Sequence, residues 1–281
     1  MIVDAHQHFW NGDIADYPWL AREENAPIRQ PYDPGMLEPL LKDVGVDCTV
    51  VVQAMNSVKD TEAMLAYAEQ YPWIAGVVGW VPLDQPEVAS RQLEGYVKHP
   101  QFKGVRHLIH EEADPHWVVR NQVIEGLQVL ASKGLPFDVV AVYPHHLEHV
   151  PTLVNRIPTL RVVIDHLAKP PIRGGDFAAW KREMAAAAEC PRVYAKVSGL
   201  NTAADWKSWT ADDLLPWIDA AMELFGPERL MFGSDWPVAT LAGSYRQVWD
   251  ATLAVIGRYG DAASRWILGD TARHFYQLEE R

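Results

Sequence analysis

The chain has 281 residues, 48% hydrophobic and 22% charged, enough to bury a sizeable core without disulfide or metal staples. Its 37 acidic residues outweigh 25 basic ones, for a net charge of -12; this argues against bulk nucleic-acid binding and against an anionic membrane surface, both of which call for basic patches. Two cysteines, Cys48 and Cys190, make no disulfide framework; with no signal-type opening and no apolar run near the roughly 18 residues of a spanning helix, a cytoplasmic setting is expected.

In chain order, eight short runs rich in Val and Ile read as strands: 2–5, 46–53, 74–81, 102–109, 137–142, 161–166, 193–198 and 230–234. Several, such as CTVVVQ and VVIDH, are apolar on consecutive positions, as in strands buried on both faces. Helical spacing occupies 61–71 after Asp60, 86–97 from a Pro suited to a first turn, 117–132 up to Gly134, 176–189, 212–225 before Gly226-Pro227, and 245–259 before Gly260. Strand and helix alternate over most of the chain, which implies parallel strands with right-handed crossovers. Eight units predict a single-domain α/β fold over 1–281, a (β/α)8 barrel. An open doubly wound sheet is the rival, and no Gly-rich dinucleotide loop follows any strand to support it. The longest irregular stretch, 10–34, holds YPWL and four prolines. It follows the first strand and is expected over the C-terminal mouth of the barrel, as a lid or pocket wall.

In such a barrel chemistry sits at strand ends. The first strand ends Asp4-Ala5-His6-Gln7-His8, and two histidines two apart in extended chain face the same side. The sixth ends Ile164-Asp165-His166 and the eighth leads into Gly233-Ser234-Asp235-Trp236-Pro237. His6, His8, His166 and Asp235 together make an acceptable set for one zinc ion. They make an equally acceptable general-base site in which Asp235 takes a proton from water. Lys196, at the end of the seventh strand, has no partner motif for Schiff-base chemistry and reads as solvated or ion-paired. Trp180, Trp217, Trp249 and Trp266 read as packed; His99, His110, His116, His149 and His274 read as surface or structural; Cys48 reads as core.

DAHQHFW, FKGVRHLI, VVIDHLAKP, LMFGSDWP and ILGDTARHFYQL resemble the amidohydrolase superfamily, and more narrowly its amidohydrolase 2 branch of lactone hydrolases, along the whole chain. YPWL at 17–20 is similar to the sugar-lactonase members. The resemblance implies a strand-one pair at His6 and His8, a strand-six histidine at His166, and Asp235 as base toward the hydrolytic water. Binuclear relatives also carry a bridging Lys or Glu on strand four and a His on strand five. Here strand four offers Arg106 and His107, and strand five offers Asp138. One divalent ion, zinc, or no metal at all is therefore implied.

The activity implied is opening of a sugar lactone, L-fuconolactone or L-rhamnonolactone, to the aldonate. Charge building on the carbonyl oxygen needs donors, for which Arg106 and His166 are placed. Trp10, Gln53, Trp80, His107, Tyr143, His145, Lys169 and Trp236 sit at comparable strand ends, and flat rings, amides and imidazoles are what a polyhydroxylated ring binds. The alternatives are an aromatic-derived lactone such as a pyrone dicarboxylate or sulfomuconolactone, a metal-dependent decarboxylase on the same barrel, and a non-enzymatic binder. The partner expected is a small sugar lactone, not nucleic acid or membrane, and the sequence is compatible with a monomer or a homo-oligomer.

Overall fold

The computed structural model describes residues 1–279. Eight parallel strands follow one another around a sheet in sequence order: β1 Val3–Gln7, β2 Cys48–Val52, β3 Ile74–Gly79, β4 Phe102–His107, β5 Phe137–Val139, β6 Val162–Ile164, β7 Val193–Val197 and β8 Leu230–Phe232. The sheet closes beyond the end of β8. Gln7 bridges Trp236 in parallel; the Asp235 N–H donates to the His6 carbonyl at 2.8 Å and the His8 N–H to the Trp236 carbonyl at 2.7 Å. The architecture is a single (β/α)8 barrel. Every residue of β1, β2 and β3 is buried, which is why these strands carry consecutive apolar residues rather than an alternation.

The helices are α1 Pro34–Val44, α2 Val58–Gln70, α3 Pro86–Tyr96, α4 Asn121–Ser132, α5 His149–Arg156, α6 Phe177–Ala188, α7 Leu200–Ala203, α8 Ala211–Phe225, α9 Tyr245–Ile256, α10 Asp261–Arg265 and α11 Thr271–Tyr276. Their ends follow local chemistry. Asp33 caps α1 by accepting from the Met36 N–H, and Gly45 closes it in the left-handed region. Thr210 and Asp213 form a reciprocal capping box on α8. None of the helices is long and apolar enough to cross a membrane.

β1 runs two residues past its expected end at Ala5, the other seven strands end earlier than their apolar runs suggest, and α1, α5, the short α7, α10 and α11 lie outside the expected helical spans. α1 contains Pro34 and Pro39 and α5 is eight residues with Pro151, so neither shows a clean helical signature. The segment expected as one helix over 117–132 breaks at Arg120, whose ψ of 145° is extended; a 3-10 turn Trp117–Val119 precedes α4. Likewise 245–259 is α9 followed by a 3-10 turn, Gly257–Tyr259. Residues 10–34 contain two 3-10 turns, Pro18–Ala21 and Glu23–Ile28; a Trp10–Tyr32 backbone bridge closes the segment on itself, and the Tyr32 ring packs against Trp236 beyond β8.

Asp60 marks a start signal that serves a different end. α2 begins at Val58, and the Asp60 carboxylate turns inward to accept the Tyr17 hydroxyl at 2.7 Å and the Ala54 N–H at 2.9 Å. It thereby ties the 10–34 segment to β2. Burial pushes its pKa up to about 6 from an ordinary 3.8, against the pull of those hydrogen bonds. A carboxyl raised in the folded state contributes stability that is full below its unfolded pKa near 3.8 and is lost as pH rises through 6. In wild type, then, raising pH from 5 to 7.5 costs on the order of 1–1.5 kcal/mol through this group, the rest of the loss falling between pH 3.8 and 5. Asp60→Asn removes that titration. Across pH 4.5–7.5 the urea-derived stability of wild type relative to Asp60→Asn should fall as pH rises and level off above about 6.5; a difference independent of pH would refute the assignment.

Candidate active site

The carboxylate of Asp235 is the point on which three imidazoles converge. Its Oδ1 lies 3.4 Å from His8 Nε2, 3.8 Å from His6 Nε2 and 3.9 Å from His166 Nε2. His6 and His8, on successive inward positions at the end of β1, bring their Nε2 atoms within 3.1 Å of each other. All four side chains are at most 5% exposed.

Backbone in the left-handed region delivers two of the four. Asp235 has φ 57°, and residues 166 to 169 run at φ 55°, 47°, 65° and 49°, none of them glycine. Each such residue costs roughly 1–2 kcal/mol relative to right-handed backbone, and strain of this kind concentrates at functional sites. Gly199, itself at φ 60°, makes room for the arrangement. A Cβ there would stand 2.7 Å from Asp235 Oδ2 and 2.8 Å from His166 Nδ1.

The imidazoles are oriented from behind. His8 Nδ1 lies 2.7 Å from the Val52 carbonyl oxygen, so it carries the proton and leaves Nε2 with a bare lone pair. His166 Nδ1 pairs with Ser198 Oγ at 2.9 Å. His6 Nδ1 faces Lys196 Nζ at 3.1 Å and Asp165 Oδ1 at 3.2 Å. Burial, with Lys196 beside it, holds His6 well below its ordinary pKa; burial does the same for His166. Asp235 goes the other way. Burial opposes its ionisation, but His166, His8 and Lys169 outweigh that and hold its carboxyl below the usual range. The site at neutral pH thus pairs a carboxylate with the neutral imidazoles of His6 and His166.

Beneath it runs a fully buried ionic layer. Lys196 Nζ contacts Asp138 Oδ2 at 2.6 Å and Asp165 Oδ1 at 3.2 Å. The Tyr276 hydroxyl donates to the same Asp138 oxygen at 2.6 Å. Arg106 Nε lies 2.8 Å from Asp165 Oδ2 and its Nη1 donates to the Gln53 carbonyl at 2.8 Å. Lys196 and Arg106 hold Asp165 ionised despite its burial.

This donor set suits a metal ion. His6, His8 and Asp235 offer three ligand atoms within 4.8 Å of one another. Their separations of 3.1, 3.4 and 3.8 Å bracket the roughly 3.3 Å between ligands of a tetrahedral zinc. The backbone hydrogen bond on the far side of His8 supplies the outer support that metal-binding histidines have.

Above the carboxylate a cavity of about 190 Å³ opens, lined by His8, Arg106, His166, Lys169 and Asp235, with Trp19, Arg22 and Asn25 from the 10–34 segment and His110 and Glu111 from the loop after β4. The size suits a small substrate rather than a drug-sized one. Arg22 reaches across to Glu111 with two hydrogen bonds of 2.7 Å.

The other residues singled out as substrate contacts lie elsewhere. Trp10 and Trp236 are 2% and 3% exposed and pack with Tyr32 in an aromatic cluster outside the cavity lining. Gln53 is fully buried, its amide donating to the Arg106 carbonyl. Trp80 Nε1 donates to His107 Nδ1, and His107 stacks on Trp117 and pairs with Glu112, so the two rings satisfy each other. Tyr143 is half-buried and His145 exposed, and neither lines the cavity. His110, expected as surface or structural, lines the cavity, as do Trp19 and Asn25, which no sequence argument singles out; for Trp19 the YPWL motif is the available signal.

The description of the family model that matches residues 3–278 is "Amidohydrolase". An L-fucono-1,5-lactonase of Burkholderia ambifaria is 37% identical over 285 residues, covering 99% of this chain and 96% of that protein. An L-fucono-1,5-lactonase of Burkholderia multivorans is 35% identical over 99% of this chain and 96% of that protein. Among solved structures, an amidohydrolase from Burkholderia multivorans with bound zinc superposes with a TM-score of 0.92 at 33% identity, covering 99% of this chain and 100% of that one. With the barrel, the strand-end histidines and these full-length matches in place, the chain belongs to the amidohydrolase family.

Proposed function

We propose that this protein hydrolyses a sugar lactone, L-fucono-1,5-lactone or the related L-rhamnonolactone, to its aldonate. The observation that carries the proposal is the convergence of His6, His8 and His166 on an ionised Asp235 at the floor of a small cavity, in a chain more than a third identical to a named L-fucono-1,5-lactonase.

Asp235 accepts a proton from a water whose oxygen attacks the ring carbonyl carbon. His166, by its neutral ring, and Arg106, whose guanidinium is fixed by Asp165 and the Gln53 carbonyl, stand on the cavity wall where the carbonyl oxygen gathers charge. The ring C–O bond then breaks, the departing alkoxide takes the proton back from Asp235, and the acid formed ionises. One zinc ion held by His6, His8 and Asp235 would supply Lewis-acid polarisation and a more acidic water. Lys169, exposed at the rim, offers a cation to the carboxylate product.

Trp19 takes the part first read into Trp10 and Trp236. Its Nε1 donates to the Ala54 carbonyl at 2.9 Å, fixing the indole on the cavity wall where its face can cover the C–H side of a sugar ring. Trp19→Ala is expected to lower kcat/KM roughly 10-fold or more, chiefly through KM, since lost area weakens ground and transition states alike. Unchanged KM would remove Trp19 from the substrate site.

Lactone opening releases a proton, so the test is a pH-indicator panel of L-fucono-, L-rhamnono- and other aldonolactones with a pyrone dicarboxylate beside them. Turnover of an aldonolactone bears the reading out. Turnover of the pyrone alone, or of nothing in the panel, overturns it.

A further inference from the structure

A second set of donors lies outside the cavity, where the loop after β4 meets the start of α5. His116 Nδ1 and His149 Nε2 are 3.2 Å apart, with the rings 5.0 Å between centroids and 62° to each other. Glu148 adds a carboxylate, and one donor atom from each of the three residues falls within 4.8 Å of the other two. His149 is buried at 7% exposure, while His116 and Glu148 are exposed.

Two imidazoles and one carboxylate with an open side to solvent are a known zinc-binding combination, water filling the fourth place. The 3.2 Å between ring nitrogens matches the roughly 3.3 Å of ligands on a tetrahedral ion. His149 Nε2 also lies 3.1 Å from the Pro115 carbonyl oxygen. A cation bound at Nε2 takes the tautomer that carries the ring proton on Nδ1, so it replaces the Pro115 and His116 hydrogen bonds at that nitrogen. The bland alternative is a hydrogen-bonded histidine pair and no more. It predicts the same metal stoichiometry with and without His116, which separates it from a metal site.

We propose that His116, Glu148 and His149 bind one divalent transition-metal ion of the zinc class, separate from any ion at Asp235. The consequence is mechanical. The loop that carries His116 also carries His110 and Glu111 of the cavity wall. A metal tying it to α5 stiffens that wall and the anchor for Arg22.

The test is calorimetric titration of the chelator-treated full-length protein with zinc, and with cobalt for its visible absorption, in wild type, His116→Ala and Glu148→Gln. His116 and Glu148 are exposed, so both variants should melt like wild type in chelator. The expected result is one equivalent fewer bound below 100 μM metal in His116→Ala, and at least about 10-fold weaker binding of that equivalent in Glu148→Gln. Metal should also raise the melting temperature of wild type more than that of His116→Ala. Identical stoichiometry and affinity in wild type and His116→Ala overturn the proposal, whatever happens at Asp235.

Discussion

Asp235→Asn is expected to lower kcat for lactone opening by about 10³-fold, within the 10²–10⁴ range that a positioned general base supplies. The fold should persist. Asp235 sits at φ 57°, a conformation that Asn tolerates better than other non-glycine residues. The amide is nearly the size of the carboxylate it replaces and keeps an oxygen facing the three imidazoles. Zinc content measured on the same preparation separates loss of a proton acceptor from loss of a ligand. A variant that retains metal, melts as wild type and turns over within 10-fold of wild type would remove Asp235 from the base role. A binding protein, by contrast, would keep its affinity for the lactone and show no turnover in either form.

Lys196→Met should produce the largest loss of stability of any single change at the barrel centre. The ammonium is fully buried between Asp138 at 2.6 Å and Asp165 at 3.2 Å, with His6 Nδ1 at 3.1 Å. Removing one member of a buried ion pair leaves the other unpaired in low dielectric, at a cost of about 3–5 kcal/mol. For a domain of this size that corresponds to a fall in melting temperature of roughly 10 °C. Adding Asp138→Asn to Lys196→Met should recover part of the loss, because the pair acts as a unit and its effects do not add. A fall under 2 °C would mean that water or a rearranged Arg106 compensates the carboxylates. The layer also explains why a lysine at the end of β7 is not a nucleophile here: its three contacts face the barrel floor, and it takes no part in the cavity lining.

Much of this was legible from local pattern. Runs such as CTVVVQ are apolar on both faces because their strands are covered on both, and eight of them at regular spacing leave few architectures other than a barrel. The order of strands then brings their ends to one mouth, so His6, His8, His166 and Asp235 could be brought together without coordinates. Boundaries were less legible where Pro and capping residues send mixed signals. Pro34 and Pro39 obscured α1, and Asp60 looked like a cap while its carboxylate was engaged with Tyr17 and the Ala54 N–H.

What the sequence by itself determined was thus the barrel, its parallel order and the three histidines around one carboxylate, because strand-end position follows from periodicity and topology alone. The tertiary structure decided which neighbours face the substrate. Trp10 and Trp19 lie nine residues apart in one irregular segment, yet Trp10 packs against Tyr32 while Trp19 lines the cavity. No period governs a loop, so its side chains take their direction from long-range contacts such as Arg22 to Glu111 and Tyr17 to Asp60. The same holds beneath the site. Asp138 lies on β5, Lys196 on β7 and Asp165 directly after β6, and only the register of a closed sheet shows that their charges meet.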